Sequence, residues 1–227
     1  EALRAGTVTE IWMSAGRGRR LARIQDLARR DGVTVHRSRL AELDRLARGA
    51  VHQGVAAAVP NQGSYSVEAL VTSASAAPLI IVLDGVEDPH NFGAVARAAE
   101  AAGVDGIVHQ TRHAAPAGAA AVRASAGALA HVRLAPVVNI SRALDTLKAS
   151  GVWTVGLDAA ADRTYYSLDL TLPTAIVVGG EGKGLRRLVR ERCDWLVSIP
   201  MRGRVSSLNA SVAAGVALFE VVRQRTA

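Results

Sequence analysis

Cysteine, aromatic residues and long apolar runs are scarce in this sequence, and each shortage excludes a class of protein. The single cysteine, Cys193, rules out an internal disulfide and fits a reducing compartment. No apolar run approaches the ~18 residues of a membrane span, so we expect a cytoplasmic protein without a membrane partner. No metal site is expected, because none of the histidines has metal-type spacing with cysteine: His36, His52, His90, His109, His113 and His131.

The overall composition is that of an ordinary globular protein. Apolar residues make up 49% and charged residues 21% of 227 residues, which is enough for one or two domains with a buried core. The first residues, EALRAG, are mixed rather than apolar, so no signal peptide is expected. They resemble the middle of a helix, from which we expect the natural N-terminus to be missing.

The positive charge is concentrated at the start of the chain. Residues 1–60 hold eleven Arg and six Asp or Glu, a net charge of +5. Residues 61–227 hold sixteen Lys or Arg and fourteen Asp or Glu, a net charge of +2. A basic module beside a near-neutral one favours contact with a polyanion. A solvated, arginine-rich surface is the alternative interpretation.

Hydrophobic periodicity predicts alternating strands and helices along the whole chain. Residues 1–60 are predicted to form a small β-α-β-α-β domain, and the Ser-, Ala- and Pro-rich residues 61–77 a linker with one or two helical turns. In residues 78–227, strands such as PLIIVLDGV alternate with helices, ending in a long helix from Ser207 onward. This alternation predicts a parallel α/β sheet with helices on both faces.

The stretch GGEGKGLRRL (179–188) looks like a phosphate-binding loop after a strand, but its spacing is wrong for the two standard types. A Walker loop needs G-x-x-x-x-G-K-[ST], and here Gly184 follows Lys183. A dinucleotide fingerprint needs G-x-G-x-x-G after the first strand, whereas this stretch has different glycine spacing and follows a late strand. A flexible turn would explain the glycines but not Glu181, which would repel a phosphate.

Two further polar clusters occur, each with a simpler interpretation. In VEDPHNFGAVARAAEAAG (86–103), Asn91 could cap the following helix and Arg97 could lie on a solvated face. In IPMRGRVSSLNASVAAGVALFE (199–220), Ser207 or Asn209 could cap the final helix. Capping accounts for one residue in each cluster more easily than for the whole cluster.

Together, the three clusters resemble the three motifs of the SpoU (TrmH-type) branch of the SPOUT RNA 2'-O-ribose methyltransferases. The motifs are long, occur in the family's order and cover the C-terminal ~150 residues. EALRAG, HQGVAA and VGLDA are similar to the RlmB-type subgroup, which methylates guanosine ribose in bacterial 23S rRNA. In that subgroup the basic N-terminal module is a substrate-binding domain similar to kink-turn-binding ribosomal proteins.

The resemblance implies a fold, a cofactor and an oligomeric state. The fold is an α/β methyltransferase domain with a C-terminal trefoil knot, which connection rules argue against. The family is dimeric and completes its active site across the interface. The final helix, with Val212, Val216, Leu218 and Phe219, is a candidate for that interface or for the core. S-adenosylmethionine (SAM) is expected to bind, mainly through backbone, at Gly179, Gly180, Ile199, Met201 and Leu208.

The resemblance also implies a catalytic set. We expect Arg97 to stabilise the developing alkoxide rather than act as a base, because a guanidinium pKa lies above ~12. Asn91 and Asn209 are expected to orient the ribose or Arg97, Glu181 to fix the arginine or the loop, and Ser207 to complete the hydrogen bonds. For Lys183, Arg186 and Arg187 the sequence leaves RNA and solvent as alternatives. The expected RNA-binding residues are Arg17, Arg19, Arg20 and Arg23.

The predicted function is therefore SAM-dependent 2'-O-methylation of a nucleotide, expected to be guanosine, in 23S rRNA. A tRNA ribose methyltransferase and an antibiotic-resistance rRNA methyltransferase are the enzymatic alternatives. A non-catalytic RNA-binding or ribosome-assembly protein is the alternative from another class. The intact catalytic set argues against the last of these, and the N-terminal module favours rRNA over tRNA.

Overall fold

A computed structural model of the protein describes most of the chain and divides it into two compact units, residues 1–62 and 63–227. In the following, structural statements concern only the described residues, which are 3, 8–15, 18–47, 51–58, 63–74, 77–112 and 118–226.

The first unit is a three-stranded sheet with two helices. Strand β1 (Glu10–Met13) lies in the middle, parallel to β2 (Thr34–Arg37) and antiparallel to β3 (Val55–Ala58). The helices are α1 (Arg19–Arg30) and α2 (Leu40–Ala47). Ile11 and Met13 alternate with half-buried positions along β1 and pack with Ala28 of α1 in a small core. The predicted β-α-β-α-β order is therefore observed.

The second unit contains a six-stranded parallel sheet in the order β6-β5-β4-β8-β7-β9. Its helices begin with α3 (Val67–Thr72), and a short 3-10 helix spans Ala128–Ala130. The strands are β4 (Leu79–Asp84), β5 (Gly106–Gln110), β6 (Leu134–Val137), β7 (Trp153–Leu157), β8 (Thr174–Gly179) and β9 (Trp195–Val197). The remaining helices are α4 (Pro89–Ala101), α5 (Ala119–Ala124), α6 (Ile140–Ala149), α7 (Arg187–Arg192) and α8 (Ala210–Thr226).

Helices cover both faces of this sheet, as the strand–helix alternation predicted. All six residues of β4 are buried, and they point alternately into two cores. Ile81 packs on one face with Phe92 of α4 and Leu218 of α8. Val82 packs on the other face with Leu144 of α6. A strand buried on both faces must be apolar throughout, which explains the run LIIVL.

The stretch predicted as a linker, residues 61–77, contains helix α3. Ser66 caps this helix by accepting a hydrogen bond from the backbone N–H of Ala69 at 3.1 Å. Val67 and Leu70 are buried in the core on the α6 face of the sheet. Residues from 63 onward belong to the second compact unit.

The carboxyl edge of the sheet positions the site described below. Because β4 and β8 are adjacent and parallel, the segments that follow them leave the sheet side by side. The segments after β7 and β9 leave at the same edge, since β8, β7 and β9 are neighbours and parallel. Ligands of open α/β sheets bind at this edge. No helix among the described residues is long and apolar enough to cross a membrane.

Cys193 gives a prediction about thiol chemistry. Burial, together with the neighbouring carboxylate of Asp194, raises the pKa of this thiol to about 12. Only the thiolate reacts with disulfide reagents, so at pH 8 a thiol of that pKa reacts about 10³-fold more slowly than a free cysteine. We expect Ellman's reagent to label native protein slowly at pH 8 and unfolded protein at once. Rapid labelling of the native protein would contradict this.

Candidate active site

A cleft of about 480 Å³ lies at the carboxyl edge, between the loop after β4 and the loop after β8. Asn91, in the first turn of α4, and Glu181, in the loop after β8, both line it. Two sequence motifs that are ninety positions apart along the chain therefore meet at one cavity, because their strands are neighbours in the sheet.

Close backbone contact between the two loops explains the paired glycines. The backbone N–H of Gly180 donates to the carbonyl of Asp84 at 2.8 Å. A Cβ atom on Gly180 would lie 2.1 Å from the carbonyl oxygen of Gly85, and one on Gly179 would lie 2.1 Å from the carbonyl carbon of Gly184. Only glycine fits at these two positions. Glycine is therefore required here by contacts with the protein's own backbone.

Three polar side chains form a hydrogen-bonded triad at this edge: Asn91, Glu181 and Asn209. The Nδ2 atom of Asn91 donates to Oε1 of Glu181. The Nδ2 atom of Asn209 donates to the same oxygen at 2.8 Å and to Oδ1 of Asn91 at 3.0 Å. Within the described chain, Oε2 of Glu181 accepts no hydrogen bond. One carboxylate oxygen is therefore held by two amides, and the other is left for a ligand or a second chain.

Helix capping fixes the orientation of one of these amides. Oδ1 of Asn209 accepts from the backbone N–H of Ser211 at 2.9 Å and from its hydroxyl at 2.6 Å. Because the carbonyl side of the amide faces the start of α8, its NH₂ side must face Glu181 and Asn91. Asn209 therefore acts as the cap that the sequence suggested and as a member of the triad. Ser207 is exposed and makes no hydrogen bond within the described chain.

Asn91 does not cap its helix, which corrects the simpler interpretation of the first motif. The cap of α4 is Asp88, whose carboxylate accepts from the backbone N–H of His90 at 2.9 Å, with Pro89 in the first helical position. Asn91 is buried and its side chain is used in the triad. Since capping does not account for Asn91, its role lies in the site.

Arg97 lies on the same helix but outside the triad. It is exposed, and within the described chain it makes no hydrogen bond or ion pair. Glu181 was expected to fix either the arginine or the loop, and within the described chain its hydrogen bonds go to Asn91 and Asn209 and not to Arg97. Within one chain, three of the five candidate catalytic residues are therefore joined by hydrogen bonds. Arg97 and Ser207 make none within the described chain.

Asp84 is a site residue that the sequence interpretation missed. Its carboxylate is buried at the end of β4 and accepts from the backbone N–H of Arg186 at 2.8 Å and from its Nε at 2.7 Å. The guanidinium Nη2 completes the ion pair. This clamp ties the loop after β8 to β4 beside the cleft. A lone acid ending an otherwise apolar strand, LIIVLD, is the signal that could have indicated it.

The predicted cofactor residues come from two segments, the end of β8, where Gly180 lines the cleft, and the segment after β9. Gly179 and Gly180 end β8, and Ile199, Met201 and Leu208 are half-buried in the segment after β9. Within the described chain, the backbone of residues 199–208 makes no hydrogen bond. Half-buried apolar side chains beside free backbone donors and acceptors fit an adenosine-containing cofactor such as SAM.

The candidate RNA-binding arginines are partly described. Arg17 lies outside the described residues. Arg19, Arg20 and Arg23 are exposed in the first two turns of α1, and Arg20 donates to Oε1 of Gln53. No acidic residue lies in the first turn of this helix. Three cations therefore lie close together on the surface. Among the described residues, no cluster of His, Cys, Asp or Glu could hold a metal ion.

Comparison with known proteins identifies relatives of both units. The sequence model of the SpoU rRNA Methylase family matches residues 78–219, and that of RNA 2'-O ribose methyltransferase substrate binding matches residues 1–65. The 23S rRNA (guanosine-2'-O-)-methyltransferase RlmB of Pseudomonas aeruginosa is 45% identical over 223 residues, covering 96% of this chain and 90% of its own.

Solved structures agree with these matches. The SpoU methyltransferase AviRb from Streptomyces viridochromogenes, in complex with the cofactor AdoMet, aligns with a TM-score of 0.80 and 27% identity. That alignment covers 99% of this chain and 86% of AviRb. A TrmH/SpoU tRNA modifying enzyme from A. aeolicus aligns with a TM-score of 0.61 and 29% identity, covering 70% of this chain and 82% of its own.

Proposed function

The chain belongs to the SpoU rRNA Methylase family, and from this premise we propose that it methylates the ribose 2'-hydroxyl of a guanosine in 23S rRNA. Membership confirms the predicted resemblance, the α/β methyltransferase fold, the enzyme class and the use of SAM. The observation that supports catalysis most directly is the triad of Asn91, Glu181 and Asn209, which occupies the carboxyl edge beside the cleft.

The choice of 23S rRNA and guanosine rests on the relatives and on the first unit. Relatives that match over nearly the whole chain are named for guanosine methylation in 23S rRNA. Residues 1–65 match a substrate-binding family of RNA 2'-O ribose methyltransferases. The A. aeolicus tRNA modifying enzyme matches only 70% of the chain, which favours rRNA over the tRNA alternative. Such a substrate places the protein in the cytoplasm.

Five residues hold SAM in this proposal, chiefly through backbone: Gly179, Gly180, Ile199, Met201 and Leu208. When bound, the cofactor supplies an electrophilic methyl group whose leaving group is neutral. The protein therefore needs no acid on the leaving-group side. Its task is to align the ribose hydroxyl and to accommodate the loss of its proton. Positioning alone can contribute several kcal/mol to that task, on the order of 7–11 in the best cases.

The triad and Arg97 divide this task. Asn91 and Asn209 hold Glu181 in one orientation, so that its free Oε2 presents a fixed acceptor for the ribose hydroxyl or for Arg97. Arg97 stabilises the developing alkoxide and binds the adjacent phosphate, both of which suit a guanidinium that keeps its charge. Ser207, one turn before α8, completes the hydrogen bonds to the ribose.

We further propose that the site is completed across a homodimer. Val212 and Phe219 are half-exposed on α8, and they lie seven positions apart, on one face of the helix. Of the other two candidates for this interface, Val216 is half-buried and Leu218 is fully buried in the core of its own chain. Arg97 lacks a partner within the described chain, which fits an arginine completed by a second copy. The loops after β8 and β9 form the trefoil knot in this proposal.

Calorimetry with SAM tests the proposal at its first step. We expect one SAM to bind per chain in the absence of RNA, because the segment after β9 already carries free backbone groups. Replacing Leu208 with aspartate should abolish the heat of binding, since a charge would be placed against the adenosine. No binding to the unaltered protein would contradict the proposal.

The arginines of α1 give a prediction about RNA affinity. Changing Arg19, Arg20 and Arg23 to glutamate should weaken rRNA binding and reduce the steepness with which affinity falls with salt, because fewer counterions are released. Filter binding from 50 to 300 mM KCl measures this. The control variant changes Arg29, Arg30 and Arg37 to glutamate. The first two of these lie in the last turn of the same helix. An unchanged salt slope in the first variant would count against the assignment.

A further inference from the structure

Basic side chains of the second unit differ in whether a carboxylate of the chain pairs with them. Arg187, Arg190 and Arg192 of α7 each form an ion pair, with Glu191, Asp158 and Asp145 respectively. The arginine before them, Arg186, is paired with buried Asp84. The four arginines of residues 186–192 are thus each paired with a carboxylate of their own chain.

A second group has no such partners. Arg112, Lys183, Arg202 and Arg204, here called the edge cations, are exposed and make no hydrogen bond or ion pair within the described chain. Lys183 lines the cleft beside Glu181. Exposed cations that are free in the protein can bind phosphate without first breaking an ion pair, whereas the α7 arginines cannot.

The topology places the loops that carry the edge cations at one edge of the sheet. Arg112 follows β5 by two residues, Lys183 follows β8 by four, and Arg202 and Arg204 follow β9. All these strands are parallel, so the three loops emerge at the same carboxyl edge, where the triad also lies. Strands lie about 4.8 Å apart, so the four steps from β5 to β9 span about 19 Å along the sheet.

We propose that the edge cations form the phosphate-binding track that guides the substrate strand across the active site, and that α7 takes no part in RNA binding. The inference rests on the proposed function, because it presumes an RNA substrate. What it adds is the surface of the protein on which the RNA backbone lies. The track runs through the loop of Lys183, beside the triad, so a strand held on it passes the reacting groups. Of the three residues for which the sequence left RNA and solvent as alternatives, this proposal assigns Lys183 to RNA and leaves Arg186 and Arg187 in their ion pairs.

The test compares two triple variants of the full chain that lose the same charge. One changes Arg112, Lys183 and Arg202 to glutamine, removing one cation from each of the three loops. The other changes Arg187, Arg190 and Arg192 to glutamine. Filter binding to a 23S rRNA transcript between 50 and 300 mM KCl gives the slope of log affinity against log salt. Each lost phosphate contact reduces that slope by about 0.7–0.9.

We expect the edge variant to lose two to three units of slope, about 0.7–0.9 for each of three contacts, and the α7 variant to keep the slope of the unaltered protein. Equal reductions in both variants would overturn the inference, because net charge rather than position would then decide. An unchanged slope in the edge variant would overturn it as well. Thermal melts check folding, and Arg187→Gln alone replaces the α7 triple if that variant does not fold. Unaltered protein that binds no rRNA would contradict the proposed function itself.

Discussion

Replacing Arg97 with alanine is expected to lower the rate of methyl transfer by about 10³-fold, the upper range for loss of one group that stabilises developing negative charge. SAM affinity should not change, since the predicted cofactor residues lie on other segments: the end of β8 and residues 199–208. Arg97 is exposed and has no partner within the described chain, so its removal breaks no internal contact and should not destabilise the fold. Single-turnover transfer from radiolabelled SAM measures the rate, and calorimetry measures SAM binding.

Two further variants separate the roles that Arg97 could have. Lysine keeps the charge but lacks the planar fork, so Arg97→Lys should retain more activity than alanine without restoring it fully. Glu100→Ala, on an exposed position of the same helix, is the control for changes to α4. Near-normal turnover of Arg97→Ala would remove Arg97 from the catalytic set. Loss of SAM binding along with turnover would show a structural rather than a catalytic effect.

Replacing Gly180 with alanine is expected to reduce methyl transfer by about 10²-fold. The new Cβ would lie 2.1 Å from the carbonyl oxygen of Gly85, and the backbone would have to move by about 1 Å to relieve this clash. Gly180 directly precedes Glu181, so this movement carries the triad with it. A misplacement of about 1 Å in an active site can cost about 10²-fold in rate. The measurement is the transfer rate at saturating SAM and RNA.

The matched control is Gly63→Ala, where a Cβ would meet open space. That variant should keep full activity. Backbone φ at Gly180 is not in the left-handed region, so close contact alone is responsible for the expected effect. Full activity in Gly180→Ala would mean that the loops after β4 and β8 tolerate separation, and the position of Glu181 would then not be set by their contact.

The order of the secondary structure could be predicted from the sequence because it depends on local patterns. Strand β4 is read from a run of apolar residues, and α6 from apolar residues at helical spacing after Asn139, which caps it. The one or two helical turns expected in the linker correspond to α3. That Val67 and Leu70 anchor this helix to the core could not be predicted, because six residues in a Ser- and Ala-rich stretch carry too weak a periodic signal.

The contacts of the site could not be predicted, since they join residues far apart in the chain. Asn91 donates to a residue ninety positions later, and Asn209 donates to both. Motif resemblance named these residues, but it implied that Glu181 fixes either Arg97 or the loop and did not indicate its hydrogen bonds to Asn91 and Asn209. The buried clamp between Asp84 and Arg186 spans 102 positions and belongs to no motif pattern that was considered. Which arginines are free to bind RNA depends on which of them form ion pairs with carboxylates. The fold decides those ion pairs, so they could not be predicted from the sequence.

The most direct test of the central claim is to identify the methylated nucleoside. Purified protein is incubated with SAM carrying a labelled methyl group and with separate 23S rRNA and tRNA transcripts, and each RNA is digested to nucleosides for mass spectrometry. We predict 2'-O-methylguanosine from 23S rRNA, its loss with the Arg97→Ala variant, and no label in tRNA. Label on a base, label in tRNA alone, or no transfer to either RNA would contradict the proposal.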